Sequence, residues 1–297
     1  MAGASIESLR HLSDDADYYV TALDLYNRES RRVQRICEWV DGNLHAMATS
    51  MDVTLQKEDS FSVLSVGAGD GIVDHRILGH LRDSAHPQLR AVILEPDSHM
   101  MQQYQDLVSK ESTKLQGVDL DWRQQTFQEF QATAKEDDKF HFISCINSLY
   151  YCGDLEKSLK FLYEKLDSGG LLLITILSAE GGLGKLWQHL SNTSISQRQF
   201  TSCYLQETCK KQNIPIAEMQ KISIQCDISP CFDHQLSQDG NTLLDFLTHT
   251  VNFAQNAPAE YRDDVLRFLG SPECSVRGSG GKVILDASNV AVLIRKQ

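Results

Sequence analysis

Three glycines at alternate positions, Gly67, Gly69 and Gly71, interrupt the segment FSVLSVGAGDGIVDHRIL, residues 61 to 78, where an apolar run gives way to helical spacing. Glycine at such a strand-to-helix turn permits unusual backbone dihedrals and lets backbone N–H groups approach a ligand. A dinucleotide fingerprint needs a further glycine at position 72, which is Ile, and Asp70 inside the loop would repel a pyrophosphate. A cationic ligand without phosphate suits the loop better. Glu95 follows 24 residues after Gly71, at the end of the next apolar run, where a carboxylate can accept hydrogen bonds from both hydroxyls of a ribose. Glycine turn, strand order and spaced acid together describe a site for S-adenosylmethionine, with its amino-acid end by the loop and its ribose on Glu95.

The reactive end of a ligand on an open parallel sheet lies beyond the carboxyl ends of the strands, which draws attention to CINSLYY, residues 145 to 151. Asn147 can donate and accept hydrogen bonds, and Tyr150 and Tyr151 offer aromatic faces and hydroxyls to a flat polar ring or a methyl cation donor. Trp187, Tyr19 and Tyr26 could extend the aromatic wall, although aromatic residues at helical spacing more often build a core. No Cys/His/Asp grouping has metal-ligand spacing, and G-x-S-x-G is absent. His75, His80, His141 and His249 are scattered, and the sequence gives none of them a role. Methyl transfer accommodates this: displacement at a sulfonium carbon needs an oriented neutral nucleophile in a dry pocket and no strong base.

The elements that would position these residues follow from periodicity. Residues 14 to 48 read as two helices or one bent helix, from Tyr19, Leu23 and Tyr26 and then Val33, Cys37, Val40 and Leu44. From residue 61 the pattern is βαβ: strand Phe61 to Val66, helix to about 82, strand Leu89 to Glu95, and a helix beginning near Asp97. Further strands are expected at Leu120 to Gln124, Phe140 to Ile146 and across LLLITIL, with a helix from Leu155 to Leu166 stopping at Gly169-Gly170. The polar stretch 180 to 215 suggests a loop-rich insertion. A strand near Ile222 to Ile228, helices at 241 to 253 and 258 to 269, and a last strand Val283 to Ile294 complete the sheet.

The chain has 297 residues and a net charge of −12, with no dense run of Lys and Arg to follow a phosphate backbone, so no nucleic-acid partner is expected. MAGASIESLRHL lacks the features of a signal peptide, and the apolar run Leu171 to Leu177 is too short to span a bilayer, so no membrane association is expected. Eight cysteines without a C-x-x-C pair are expected to be reduced thiols in the cytoplasm.

Beyond these local readings, LSVGAGDG, LEP (94 to 96), LYY (149 to 151), GKLW (184 to 187), DISPCF (227 to 232), DFLT (245 to 248), NFAQNAP (252 to 258) and GKVI (281 to 284) resemble the histamine N-methyltransferase family in order and spacing, over nearly the whole chain. The resemblance implies an α/β fold, a Rossmann-like class I methyltransferase with a seven-stranded, mostly parallel sheet and a helical substrate cap. It further implies a monomeric cytoplasmic enzyme that methylates an imidazole nitrogen of a small molecule. The corresponding layout is an N-terminal helical cap over residues 1–55, a donor-binding core over 56–180, and cap insertions with the last strands over 181–297. Carried onto matching positions, the family's donor contacts fall on Gly67, Glu95 and Ile146, and its acceptor contacts on Tyr19, Tyr150, Tyr151, Trp187 and Phe246.

Other positions depart from the family. Its N-terminal glutamate, which meets the ammonium of histamine, aligns with Arg32, unless Glu29 one turn earlier takes its place. Its glutamine after the fourth strand is Asn147, its C-terminal pocket asparagine is Ala287, and a further aromatic of the cap is Leu183. On the donor side, glutamine and serine positions carry Met100 and Phe127, the latter preceded by Thr126. An arginine in place of an ammonium partner disfavours a bare amine and favours a carboxylate. Arg32, Asn147 and Ala287 together favour carnosine, giving anserine; histamine is the alternative, and a non-catalytic S-adenosylmethionine-binding protein is the alternative of another class. In either enzyme, Asn147 or a tyrosine hydroxyl such as that of Tyr150 would hold the acceptor ring's N–H and select the tautomer.

Overall fold

The apolar run Phe61–Val66 forms β1, in which only Ser62 keeps appreciable exposure, as expected of a parallel strand covered on both faces. The computed structural model describes residues 5–51, 60–84, 88–191, 200–233 and 235–297. The remaining strands are β2 (Leu89–Leu94), β3 (Val118–Arg123), β4 (Phe140–Ile146), β5 (Leu166–Leu177), β6 (Ile216–Ile222), β7 (Gln225–Asp227), β8 (Ser275–Arg277), β9 (Val283–Asp286) and β10 (Asn289–Arg295). They form a seven-stranded sheet of order β3-β2-β1-β4-β5-β10-β6 and a three-stranded sheet of order β7-β9-β8. The strands from β3 through β5 pair in parallel. Strand order reverses between β1 and β4, which makes their carboxyl ends the switch point where open α/β sheets bind ligands.

The helices are α1 (Ala16–Ser30), α2 (Arg32–Thr49), α3 (Ile72–Asp83), α4 (Ser98–Lys110), α5 (Phe127–Thr133), α6 (Leu155–Lys165), α7 (Gly182–Ser191), α8 (Ser202–Lys211), α9 (Gln238–Thr248), α10 (Phe253–Asn256) and α11 (Ala259–Leu269). Local chemistry fixes several of their starts. The Asp97 carboxylate accepts the N–H groups of His99 and Met100 at 2.8 and 2.9 Å, and Thr126 with Glu129 forms a reciprocal capping box. No helix among the described residues is long and apolar enough to cross a membrane.

The backbone divides into two units. The second, Ile36–Ile176 with Tyr204–Gln220 and Val290–Gln297, holds most of the large sheet and a core that includes Phe61, Leu64, Ile77, Leu78, Phe142 and Leu172. The first, comprising the described residues of Met1–Arg35 with Leu177–Cys203 and Lys221–Asn289, holds α1, α7, α9, α10, α11 and the antiparallel small sheet. Its core includes Leu12, Leu25, Tyr26, Leu186, Leu244 and Phe253.

Several sequence expectations are corrected. Of the two arrangements expected over residues 14 to 48, the structure has the two helices, because Arg31 takes a left-handed conformation with φ 51° and breaks the hydrogen-bond ladder between them. The helix before LLLITIL ends at Lys165, and Gly169-Gly170 belongs to a bulge: Phe140 pairs with Leu166 but Phe142 pairs with Leu171. The stretch 180 to 215 contains α7 and α8, with residues 192–199 outside the described residues. The strand expected at Ile222 to Ile228 splits into the end of β6 and β7, and that at Val283 to Ile294 into β9 and β10, each pair divided between the two sheets. Between β9 and β10, Ala287 N–H donates to Ile224 O at 2.9 Å and Ser288 N–H to the Asp286 carboxylate at 3.0 Å, closing a turn that periodicity alone does not show. The helix expected over 241 to 253 stops at Thr248, where His249 takes φ 51°. The boundary expected between residues 55 and 56 lies outside the described residues.

Candidate functional site

In the second unit, Gly67, Gly69 and Gly71 all take positive φ, at 64°, 59° and 76°. The constraints on them differ. A β-carbon on Gly67 would lie 2.7 Å from the Ser148 Cβ and one on Gly71 would lie 2.0 Å from the Tyr104 ring, whereas one on Gly69 would meet nothing within 4 Å. Gly67 and Gly71 are therefore fixed by packing within the protein, and Gly69 borders open space. The N–H groups of Gly67 and Ala68 donate to Leu94 O at 2.9 and 3.1 Å, and that of Gly71 to Ala68 O at 3.1 Å. Gly69 N–H donates to Glu95 Oε2 at 2.7 Å. These four donors are satisfied within the protein, so the loop spends them on its own shape and not, as the sequence suggested, on a ligand.

Glu95 follows β2 directly and is buried. Its second oxygen, Oε1, accepts Asp97 N–H at 3.0 Å. Burial pushes its pKa above the usual glutamate value, opposed by these two backbone hydrogen bonds. Each carboxylate oxygen keeps a further lone pair, so the group can still accept two ribose hydroxyls. The residues present thus suit S-adenosylmethionine: a carboxylate with spare acceptor capacity, held by the same glycine loop whose middle residue opens onto free space.

Behind the loop lies a buried polar cluster. Asp74 accepts from Ser65 Oγ at 2.6 Å, from Tyr104 OH at 2.7 Å and from Ser144 Oγ at 3.4 Å. Its carboxyl pKa is raised by burial, with these hydrogen bonds acting in opposition. The cluster ties β1, β4 and α4 to the start of α3, and it holds the Tyr104 ring against Gly71. The sequence carried a signal for it: Asp74 shares one apolar helical stripe with Ile77, Leu78 and Leu81, where a charge needs buried partners.

Met100 sits half-buried in the first turn of α4, and Thr126 caps α5. Phe127 is buried, and its ring meets Phe161 edge-on at 5.7 Å, so its side chain serves the core of this unit. Ile146 ends β4 half-buried. Asn147 follows in a left-handed conformation with φ 51°, its N–H donating to the Thr175 carbonyl and hydroxyl, both at 3.1 Å. That turn leads into a short 3-10 helix, Leu149–Tyr151, in which the Tyr150 and Tyr151 rings meet at 4.5 Å and Tyr151 is 57% exposed.

The acceptor candidates of the first unit form an aromatic cluster. Tyr26 stacks on Phe246 at 4.4 Å and 22°, and Tyr19 lies 6.4 Å from Phe246. His249 follows, 5.8 Å from Phe246, 4.7 Å from Trp187 and stacked on His11 at 5.7 Å. Trp187 Nε1–H donates to Leu247 O at 3.1 Å. The Arg32 guanidinium lies 5.5 Å from the centroid of the Tyr26 ring. Glu29 is ion-paired with Arg28 at 2.9 Å, and Arg28 also reaches Asp239 at 2.8 Å. Ala287 is fully buried in the turn between β9 and β10.

Two contributors to this cluster carried no role in the sequence reading. Asp245, at the head of DFLT, accepts from Tyr18 OH at 2.8 Å and from the N–H groups of Asn252 and Phe253 at 2.7 and 2.8 Å, which fixes the chain as it leaves α9. His249 ends α9 with its side chain among the aromatic rings, brought to His11 by tertiary folding alone.

Residues 28–213 match the family model described as a methyltransferase domain. The chain is 30% identical to the histamine N-methyltransferase of Danio rerio, covering 95% of this chain and 97% of that protein. It is 31% identical to the carnosine N-methyltransferase 2 of Gallus gallus, covering 97% of this chain and 89% of that protein. Among solved structures, the YcgJ protein of Bacillus subtilis shares the fold with a TM-score of 0.54 at 14% identity, over 86% of this chain and 99% of that one. With donor-suited residues at the switch point of its sheet, the chain belongs to the histamine N-methyltransferase family of S-adenosylmethionine-dependent N-methyltransferases.

Proposed function

We propose that the chain methylates an imidazole nitrogen of a small molecule that carries a carboxylate, with carnosine as the first candidate. The observation that carries this reading is the placement of Arg32: its guanidinium lies over Tyr26, which stacks on Phe246, while the carboxylate of Glu29 is held by Arg28. A cation beside an aromatic surface suits a ligand with a ring at one end and a carboxylate at the other. The same placement disfavours a bare ammonium.

On this reading the first unit recognises the acceptor through Tyr19, Arg32, Trp187 and Phe246, and the second holds the donor through Gly67, Gly69, Gly71 and Glu95, with Met100, Thr126 and Ile146 as further donor-side positions. Bound there, S-adenosylmethionine supplies an electrophilic sulfonium methyl group. Glu95 fixes the ribose, and the Asp74 cluster keeps the loop in the shape that lets Glu95 do so. Asn147, Tyr150 and Tyr151 orient polar groups of the reactants. The eight free cysteines, seven of them buried, support a reducing cytoplasmic setting, and family resemblance supports a monomer.

The test is a radiolabelled methyl-transfer assay that offers carnosine, histamine and free histidine side by side, repeated with Arg32→Glu. Preference for carnosine, reduced about tenfold by the charge reversal, is the expected result. Preference for histamine in the wild-type chain, unaffected by Arg32→Glu, would replace this reading with the histamine one. Donor binding without transfer to any of the three would indicate another nucleophile or a binding role.

A further inference from the structure

Resting on the reading that the acceptor is an imidazole, we infer that His249 is a specificity-determining residue, whose Nε2 accepts a hydrogen bond from the non-reacting N–H of the acceptor ring. Nε2 of His249 is shut off from solvent and has no hydrogen-bond partner among the described residues. A buried polar atom without a partner is destabilising by about 1–3 kcal/mol, and in a native structure such an atom calls for a specific explanation. Phe246, Trp187, Tyr18 and Asp245 do not supply one. Phe246 has no polar handle, and the Trp187 indole N–H is already engaged by Leu247 O. Tyr18 and Asp245, the nearby polar pair, satisfy each other.

The surroundings do describe a ligand. His249 lies among the rings of His11, Trp187 and Phe246, at centroid distances of 4.7 to 5.8 Å. Aromatic walls of this kind receive a flat ring, and a polar atom buried among them reads that ring's edge. A neutral imidazole that is to be methylated must keep a lone pair on the reacting nitrogen and therefore carries N–H on the other. That N–H needs an acceptor which stays unprotonated at working pH. Burial and the nearby His11 push the His249 pKa down to about 4, so the ring is neutral through the range in which a free imidazole is available. With its proton on Nδ1, His249 offers a lone pair at Nε2. In this role it replaces Asn147 or a tyrosine hydroxyl as the group that selects the acceptor tautomer; it removes no proton, and the product loses its proton to solvent.

His249 also sits in a left-handed conformation with φ 51° at the end of α9, where Asn is tolerated and bulky residues are strained. This shapes the choice of variants. His249→Asn keeps the backbone compatible but leaves the Nε2 position empty; His249→Phe keeps the ring and removes both nitrogens; His249→Gln returns a polar atom near Nε2. The experiment is isothermal titration of the full chain, saturated with S-adenosylhomocysteine, with carnosine, histamine and the thiazole analogue of histamine, which keeps the amine but has no ring N–H. Thermal denaturation and S-adenosylhomocysteine affinity are measured on every variant.

The wild-type chain is expected to bind histamine about tenfold more tightly than the thiazole analogue. In His249→Asn and His249→Phe that gap closes and carnosine binding weakens about tenfold, with S-adenosylhomocysteine affinity unchanged; His249→Gln restores part of the gap. A gap that survives in both His249→Asn and His249→Phe overturns the inference while leaving imidazole methylation intact. Failure of carnosine and histamine alike to bind the wild-type chain, with S-adenosylhomocysteine bound normally, overturns the imidazole reading and this inference with it.

Discussion

The Tyr104 ring occupies the place where a β-carbon on Gly71 would sit, only 2.0 Å from the nearest ring carbon, while its hydroxyl donates to the buried Asp74 carboxylate at 2.7 Å. The glycine loop is therefore shaped from behind, by a side chain of α4 that a carboxylate of α3 holds in position. This distinguishes glycines that serve the protein's own packing from the glycine that faces open space.

Gly71→Ala is expected to destabilise the chain by about 3 kcal/mol, since it adds both a steric clash and a left-handed alanine. Gly69→Ala adds only the second and should destabilise by about 1 kcal/mol. Because a β-carbon on Gly69 would project into the open space beside the loop, and strain at φ 59° shifts the N–H that orders Glu95, its substitution should weaken S-adenosylhomocysteine binding out of proportion to its small stability loss. Thermal denaturation and calorimetry on the two variants check this, and equal stability losses would contradict it.

Glu95→Ala is expected to reduce S-adenosylhomocysteine affinity by at least about tenfold, since hydrogen bonds to a charged carboxylate contribute about 1.5–3 kcal/mol. The wild-type protein should show a related pH dependence. Burial raises the folded-state pKa of Glu95 above the ordinary 4.5, so the native state holds the proton more tightly than the unfolded chain. The group's contribution to stability therefore falls as pH rises from the unfolded value through the folded one. Donor affinity runs the other way and declines as pH is lowered through the folded pKa, because the protonated acid accepts less well. Affinity unchanged from neutral pH down to the unfolded value would count against Glu95 as the ribose ligand.

The methyl-transfer profile should have a single rise. An acceptor imidazole with a pKa near 6.5 must be unprotonated, so kcat/KM increases with pH through that value and then levels off. His249, neutral above about pH 4, adds no second inflection in this range. A flat profile from about pH 5.5 to 8, on either side of the imidazole pKa, would show that the acceptor's protonation does not limit the reaction.

Asp245→Ala removes an acceptor shared by Tyr18 OH and the N–H groups of Asn252 and Phe253. A loss of about 3 kcal/mol is expected, because three donors lose a buried partner together. Tyr18→Phe removes one hydrogen bond only and should cost about 1 kcal/mol. Chemical denaturation of both variants gives the comparison; a Tyr18→Phe loss as large as that of Asp245→Ala would mean that the turn is held by other contacts.

By itself the sequence determined the central strands of the large sheet and the glycine turn between them. The bounds of β1 and β4, the glycine turn and Glu95 depend on short-range patterns: apolar runs covered on both faces, a turn that needs glycine, and an acid at a strand end. Family resemblance extended that reading to candidate acceptor contacts. Only the tertiary structure decided the rest. Whether Val283 to Ile294 is one strand or two depends on hydrogen bonds from Ala287 and Ser288 to partners outside the run, which periodicity does not contain. Phe127, aligned with a donor-side position, turns its ring to Phe161 because burying an aromatic ring outweighs exposing it at that helix start. Arg32 gained its meaning from Tyr26 beneath it and from the pairing of Glu29 with Arg28. His249 gained its own from a ring brought in by residue 11, because contacts between residues far apart in the chain leave no trace in local spacing.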